Sequence, residues 1–464
     1  MINHFNFGKF KDKILVTNDF GRFIFLTKDD FKKFVDGKTG PQDEIYTSLV
    51  ENHFILESPS VLFDDELKDE IRSLKNYVLS GTSLHIFAIT NACNANCIYC
   101  QAKDKASKLN GFMTKETARK AVDIALQSPA NPITIEIQGG EPLLNFEVVK
   151  EIVEYADNVR GDKEVSFTMV SNLIALDDEK INYLREKKVS VCTSLDGPRN
   201  VQENNRVCKN NGSTYDYAIK GIEKLRKAEI FGGAIQTTTK YSLAFPEEIV
   251  DLYVSLGIPG MFIRPLTPLG FAKSDWNEIG YTPKEFLTFY KKAFDRIMQI
   301  NKEGTFFPEL HASYFLRKIL RGYAINYMEL RSPCGAGLGQ LSYYYTGDVY
   351  TCDEGRMISE AGIEAFKLGN VYKDSYNDLI NNPICKTLVL SSVVESIPGC
   401  SECVYNPYCG VCPVITYAHE KDIFPKSPKG FRCQVYSGMM DLFFDILYNA
   451  NEDDIAVFES WVDN

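Results

Sequence analysis

Asn91-Ala92-Cys93-Asn94-Ala95-Asn96-Cys97-Ile98-Tyr99-Cys100 places three thiols in one short loop at C-x3-C-x2-C spacing. A complete cubane iron–sulfur cluster takes four thiolates. Three in a tight loop, with no fourth nearby, leave one iron open, and an open metal position marks a catalytic rather than a structural centre. A zinc loop is the alternative. Working outward, strands are expected at Leu84–Thr90, Ile133–Gln138, Val165–Val170, Val189–Leu195, Gly232–Thr238 and Gly260–Leu266. Helices are expected near 114–128, 145–159, 177–187, 214–228 and 246–256. Repeated βα units require a parallel sheet, either a partial barrel or an open doubly wound sheet. In both, chemistry lies at the C-terminal ends of the strands. The cysteine loop, Gly139-Gly140-Glu141, Ser171-Asn172 and Thr237-Thr238-Thr239 all fall there.

Before this repeat lies a separate segment. Ile14-Leu15-Val16, the turn Asn18-Asp19-Phe20-Gly21 and Phe23-Ile24-Phe25-Leu26 predict a hairpin. Thr27 caps a helix with Asp30 three residues on. Further helices are expected over about 42–53 and 64–79, the last with Leu67, Ile71, Leu74 and Val78 at helical spacing. After the repeat, residues 301–330 read as a helical bridge, and 331–435 turn to Cys, Gly, Tyr and Pro with little helical periodicity outside 374–391. Such a segment is organised by metal clusters more than by an apolar core. Met439, Met440, Phe443, Phe444 and Leu447 predict a closing helix over 436–464. The expected organisation is thus 1–80, 81–300, 301–330, 331–435 and 436–464.

The formal net charge is −11 with no basic block, which argues against nucleic acid or an anionic membrane as partner. No apolar run is long enough for a membrane span, and the first residues lack the apolar core of a secretory signal. Thirteen cysteines, in C-x2-C pairs without a signal, read as metal ligands in a reducing compartment, most simply the cytoplasm.

The loop resembles the signature of the radical S-adenosylmethionine (SAM) superfamily, with Tyr99 as the aromatic before the third cysteine. The resemblance implies an α/β fold: a partial (β/α)6 radical-SAM barrel. It implies a [4Fe-4S] cluster on Cys93, Cys97 and Cys100, whose open iron chelates the methionine part of SAM, and reductive cleavage to a 5′-deoxyadenosyl radical. Gln138-Gly139-Gly140-Glu141-Pro142 is similar to the family's glycine-rich motif for the methionine ammonium. Its glycines allow close backbone approach, and Glu141 fixes either the loop or the cation. Ser194 and Arg206 match positions that contact ribose and carboxylate, although Arg206 also reads as a solvated loop charge. Ser171 is a weaker match, equally a strand-end turn, and Leu266 takes the place of the aliphatic residue packed on adenine.

Cys334, Cys352, Cys400, Cys403, Cys409, Cys412 and Cys433 resemble a C-terminal SPASM domain with two auxiliary [4Fe-4S] clusters, making three in all. By position, Cys400, Cys403, Cys409 and Cys433 would bind the outer cluster, and Cys334, Cys352 and Cys412 the inner one. A zinc ribbon is the alternative. The spacing departs from the family before Cys412 and before Cys433, and only three inner ligands are apparent, with Cys385 a candidate fourth. Cys192 reads as core. Asp353, next to Cys352, is the candidate catalytic base, or else a hairpin-end acid facing water.

The first segment is similar in topology to the winged-helix-like module by which peptide-maturing members bind a leader peptide. The stretch from Asn18 to Phe31 also resembles maturases of His-Xaa-Ser systems. The implied function is maturation of a ribosomal precursor peptide by a thioether or carbon–carbon crosslink. An external one-electron reductant such as flavodoxin or ferredoxin would supply electrons. Formylglycine formation by a sulfatase-type maturase and a non-catalytic iron–sulfur scaffold are the alternatives.

Overall fold

The computed structural model describes residues 1–58, 65–103, 111–322, 326, 330–426, 428 and 430–463. Three strands open the chain: β1 (Asn6–Phe10), β2 (Lys13–Thr17) and β3 (Phe23–Leu26). They form an antiparallel sheet in that order, so the expected hairpin has an additional strand, β1, ahead of it. Thr27 caps the helix Lys28–Val35, its hydroxyl accepting from Asp30 N–H at 3.1 Å. The helix expected over 42–53 is shorter, Tyr46–Glu51. The one expected over 64–79 is Asp65–Ser73 followed by a 3-10 turn Asn76–Leu79. The side chain of Ile71 lies outside the described residues.

The remaining strands are β4 (Leu84–Ala88), β5 (Ala95–Cys97), β6 (Ile133–Gln138), β7 (Val165–Ser171), β8 (Ser190–Ser194), β9 (Arg206–Cys208), β10 (Phe231–Thr237), β11 (Ile263–Arg264), β12 (Gln340–Tyr344), β13 (Asp348–Tyr350) and β14 (Lys367–Asn370). Nine of them form one sheet in the order β11-β10-β8-β7-β6-β4-β12-β13-β14. Every pair from β11 to β12 is parallel, and β12-β13-β14 is an antiparallel meander. The first six strands of that order are the partial barrel. Its last strand is much shorter than expected, two residues rather than seven, with Met261 making only an isolated bridge to Glu309. The segment 331–435 is not set apart: β12 pairs with β4 along its whole length and continues the sheet.

Alternation explains the layers. Ile133, Ile135 and Ile137 of β6, Phe167 and Met169 of β7 and Val191 of β8 bury against the flanking helices in one apolar core. Side chains of the opposite parity face the concave side. A second core joins the helices Pro283–Lys302, Leu310–Arg321, Phe431–Asn449 and Glu452–Asp463 through Phe286, Phe294, Phe315, Phe443, Phe458 and Trp461. Full burial of each such side chain is worth about 1.5–3 kcal/mol.

The 20-residue helix Pro283–Lys302 was not expected from periodicity, yet its start is written in the chain. Thr282 and Glu285 form a reciprocal capping box, and Pro283 occupies the first turn. The closing region is two helices instead of one, and the first begins at Phe431, so Cys433 lies in its first turn. Part of the expected bridge, 323–325 and 327–329, falls outside the described residues.

Candidate active site at the C-terminal rim of the sheet

The cysteine loop leaves the end of β4 and is held at two places. β5 pairs with β9, which sets Cys97 directly opposite Arg206. On the other side, Gly140 N–H donates to Thr90 O at 2.7 Å and Glu141 N–H to Ala92 O at 2.8 Å. This approach requires glycine: a Cβ on Gly139 would stand 2.3 Å from Thr90 O, and one on Gly140 2.1 Å from Ala92 O. Gly139 also has φ +148, outside what L-residues with side chains adopt readily.

Glu141 is fully buried and tied to the protein. It accepts from Leu143 N–H at 3.0 Å, Ser171 Oγ at 2.8 Å and Asn172 N–H at 2.8 Å. Burial still pushes its carboxyl up to about 7. These contacts tie the glycine-rich loop to the end of β7. Ser171 is buried, its hydroxyl donating to Glu141.

Donors surround the thiols. Ala95 N–H lies 3.4 Å and Asn172 Nδ2 3.6 Å from Cys93 Sγ, and Arg206 Nη1 lies 3.9 Å from Cys97 Sγ. Burial raises all three thiols, Cys97 to about 12, while Arg206 pulls Cys97 down. Cation and amide donors directed at sulfur suit an anionic thiolate cluster. Among the described residues, no three His, Cys, Asp or Glu side chains converge on a single ion. A cubane takes one thiolate per iron, so its ligands need not converge on one point.

Arg206 is also gripped by a residue that sequence reasoning passed over. Asp196, fully buried, receives Arg206 Nε at 3.1 Å and Nη2 at 3.2 Å, and Tyr99 Oη at 2.7 Å. Thr237 N–H and Asn205 Nδ2 complete it, each at 3.2 Å. Tyr99 thus serves the loop as a strut, with the Arg206 guanidinium 5.2 Å from its ring centre. The available signal was an acid immediately after β8, in Ser194-Leu195-Asp196-Gly197.

The concave side opens into a cavity of about 730 Å³. Gln138, Ser194, Arg206 and Leu266 stand on its wall, as does Asp353. Cys192 borders it too, contrary to its expected place in the apolar core, because it shares the parity of Ser194. Asp353 does not face water: it is buried, with Arg356 Nη2 at 2.6 Å and Nε at 3.0 Å from one oxygen. Glu136, absent from the expected site, lines the cavity as well.

The C-terminal cysteines fall into two groups. Burial first, and then the neighbouring Cys400 and Cys433, raise the thiols of Cys403 and Cys409, the latter to about 12. Cys334 and Cys412 act on Cys352 in the same way, and the three share one small apolar cluster. Cys385 lies elsewhere, in the helix-side core with its thiol directed at Leu379 O at 3.5 Å; burial alone raises it, to about 12. Lys318 is buried against the outer group and donates to the carbonyls of Leu330, Tyr408 and Cys409.

Residues 87–260 match the Radical SAM superfamily, and the chain carries a radical SAM domain. The cofactors of that superfamily are a [4Fe-4S] cluster and SAM. An uncharacterized protein of Methanocaldococcus jannaschii is 29% identical over 191 residues, 41% of this chain and 65% of the relative's length. The chain therefore spans slightly under two thirds of that relative. A cysteine-type anaerobic sulfatase-maturating enzyme of Clostridium novyi is 22% identical over 343 residues, 71% of this chain and 87% of the relative. Among solved structures, native anSMEcpe with bound AdoMet superposes with a TM-score of 0.68 at 18% identity, covering 82% of this chain and 99% of that one. Streptococcus suis SuiB bound to SAM gives 0.56 at 15% identity, covering 92% of this chain and 99% of that one. These likenesses show the fold. No helix among the described residues is long and apolar enough to cross a membrane.

Proposed function

We infer that this chain, built around its radical SAM domain, is a peptide maturase that abstracts hydrogen from a ribosomally made precursor and closes a thioether or carbon–carbon crosslink. The observation that carries this is the N-terminal module, β1 to β3 with its helices, joined to the six-stranded partial barrel. SuiB, also solved bound to the precursor peptide SuiA, covers 92% of this chain, whereas anSMEcpe covers 82%. Both β1 and β3 are edge strands, suited to accept a leader peptide as a further strand.

In this assignment Cys93, Cys97 and Cys100 hold the cluster that, with SAM, supplies the 5′-deoxyadenosyl radical. Gly139 and Gly140 keep the rim free of side-chain atoms where the methionine part sits. Arg206, oriented by Asp196 and Tyr99, places positive charge beside Cys97 and at the cavity wall. Gln138 belongs with the glycine-rich motif at the methionine end, and Ser194 and Leu266 contact the nucleoside. Cys400, Cys403, Cys409 and Cys433 hold an outer cluster and Cys334, Cys352 and Cys412 an inner one, with Cys385 assigned to the core. Asp353 stands at the cavity wall as the candidate base, held there by Arg356.

Formylglycine formation is the second reading, favoured by the sulfatase-maturating relatives. The reduced, reconstituted protein incubated with SAM is expected to release 5′-deoxyadenosine; none would refute the radical assignment. Co-expression with a short precursor from the neighbouring genes is expected to remove two hydrogens from the peptide by mass spectrometry. Conversion of a cysteine or serine to an aldehyde would replace the crosslink reading with the formylglycine one.

A further inference from the structure

The concave face of the sheet carries polar groups that the assignment above leaves unused. Glu136 of β6 is in register with Thr168 of β7 on one side and Ile86 of β4 on the other, and Ile86 is in register with Ser342 of β12. Their direction follows from alternation. Ile135, Ile137, Phe167, Met169, Leu341 or Tyr343 flank them in sequence and fill the helix-side core, so Glu136, Thr168 and Ser342 turn to the concave side. Glu136 and Ile86 border the cavity there, one step deeper than Gln138.

Each of these polar groups lacks a partner. The hydroxyls of Thr168 and Ser342 are buried and unbonded, and Ser342 is 0% exposed. Among the described residues Glu136 makes neither a hydrogen bond nor an ion pair. Of the other charges of the wall, Arg206 is paired with Asp196 and Asp353 with Arg356. Arg264, Glu354, Glu420 and Arg432 line it as well, Arg264 lying over the ring of Phe262 at 5.2 Å. Burial first, then Asp353, push the Glu136 carboxyl up to about 7, with Arg264 opposing. Buried hydroxyls and carboxylates without partners are costly, and a fold retains them where something else completes them. Neighbouring strands stand about 4.8 Å apart, so a donor with several N–H groups reaches Glu136 and the Thr168 hydroxyl together.

We propose that Glu136 and Thr168, with Ser342 beyond Ile86, form a receiving site for a basic side chain, lysine or arginine, of the peptide. The source of that cation rests on the peptide-maturase reading. An ammonium or guanidinium there gains a carboxylate in a water-poor cavity and completes the Thr168 hydroxyl, whereas an apolar or acidic side chain leaves both unmet.

Calorimetry on the reconstituted holoenzyme with SAM tests this, using acetyl-Gly-Gly-X-Gly-Gly-amide peptides with X as Lys, Arg, norleucine or Glu. The wild type is expected to bind the Lys or Arg peptide at least about tenfold more tightly than the norleucine one. Glu136→Gln, of equal size, is expected to bring that preference within about twofold, and Thr168→Val to reduce it severalfold. No basic preference in the wild type, no binding by either basic peptide at millimolar concentration, or a preference unchanged in Glu136→Gln would each overturn the proposal. If Glu136→Gln does not fold, Thr168→Val decides: a reduced preference supports the site and an unchanged one refutes it. Release of 5′-deoxyadenosine without peptide is followed in parallel, so that failure of the radical assignment is seen separately from failure of the basic preference.

Discussion

The two cysteine-bearing regions are assembled in opposite ways. At the sheet rim, Cys93, Cys97 and Cys100 come from one loop, and the rest of the protein only braces it, through β9 on one side and Gly139-Gly140 on the other. In the C-terminal region the thiols arrive from separate pieces: Cys334 before β12, Cys352 at the cap of a helix, Cys400 to Cys412 from a loop and Cys433 from the first turn of the helix Phe431–Asn449. A local site is announced by spacing alone. A dispersed one exists only once its scaffold has formed, and it depends on packing far from any sulfur.

The largest effect that separates the regions is chemical. Cys97→Ala is expected to abolish 5′-deoxyadenosine formation with circular dichroism unchanged. Cys403→Ala is expected to lower bound iron by about four atoms per chain and leave peptide-independent SAM cleavage in place. Loss of cleavage in Cys403→Ala would break the distinction between the two regions.

Next comes packing. Gly140→Ala drives a Cβ into the Ala92 carbonyl and is expected to cost about 3 kcal/mol by chemical denaturation. Gly362→Ala, in the C-terminal region with open space around it but φ +79, is expected to cost about 1 kcal/mol. Equal costs would remove the contrast between a braced rim and a tolerant surface.

A smaller effect concerns the joint between the regions. Glu309 is fully buried, accepts from Ile263 N–H at 3.1 Å and Tyr290 Oη at 2.6 Å, and caps the helix Leu310–Arg321. Burial raises its carboxyl from 4.5 to about 7. Between those values the folded state holds a proton that the unfolded state has lost. Stability attributable to this group is therefore full below 4.5 and falls as pH rises through 7, by on the order of 2 kcal/mol between pH 5 and 8. Denaturant midpoints are expected to show that slope, and Glu309→Gln to flatten it. The smallest effect is that of Cys385→Ser, which is expected to leave the iron content unchanged; a loss of iron would make Cys385 a ligand of the inner group.

Much of the barrel was legible because a strand buried on one face and flanked by helices leaves both periodicities in the chain. Five of the six strands fall within a residue or two of their expected bounds, and Gly139-Gly140 stand against the cysteine loop. What escaped had its cause in three dimensions. β11 is two residues long, since Gly260 and Met261 pack on Pro308 and Glu309 instead of continuing a ladder. Asp196 had no assigned role until the fold brought Tyr99, Asn205 and Arg206 around it. The clamp of Arg356 on Asp353 forms within one turn of a helix that composition did not reveal. The helix Pro283–Lys302 was the avoidable omission, with its capping box in plain sequence.

The parallel pairing of β4 with β12 sets a schedule for the newborn chain. Thr82, at the threshold of β4, donates to Leu338 O, 256 residues further along. On a ribosome adding about 5–20 residues per second, roughly 13–50 s pass before the partner of β4 emerges. Through that interval a row of backbone donors and acceptors on Leu84–Ala88 stands open to any extended segment nearby. A fragment ending near residue 330 would keep that exposure permanently, and its expression is expected to yield aggregate rather than a minimal barrel.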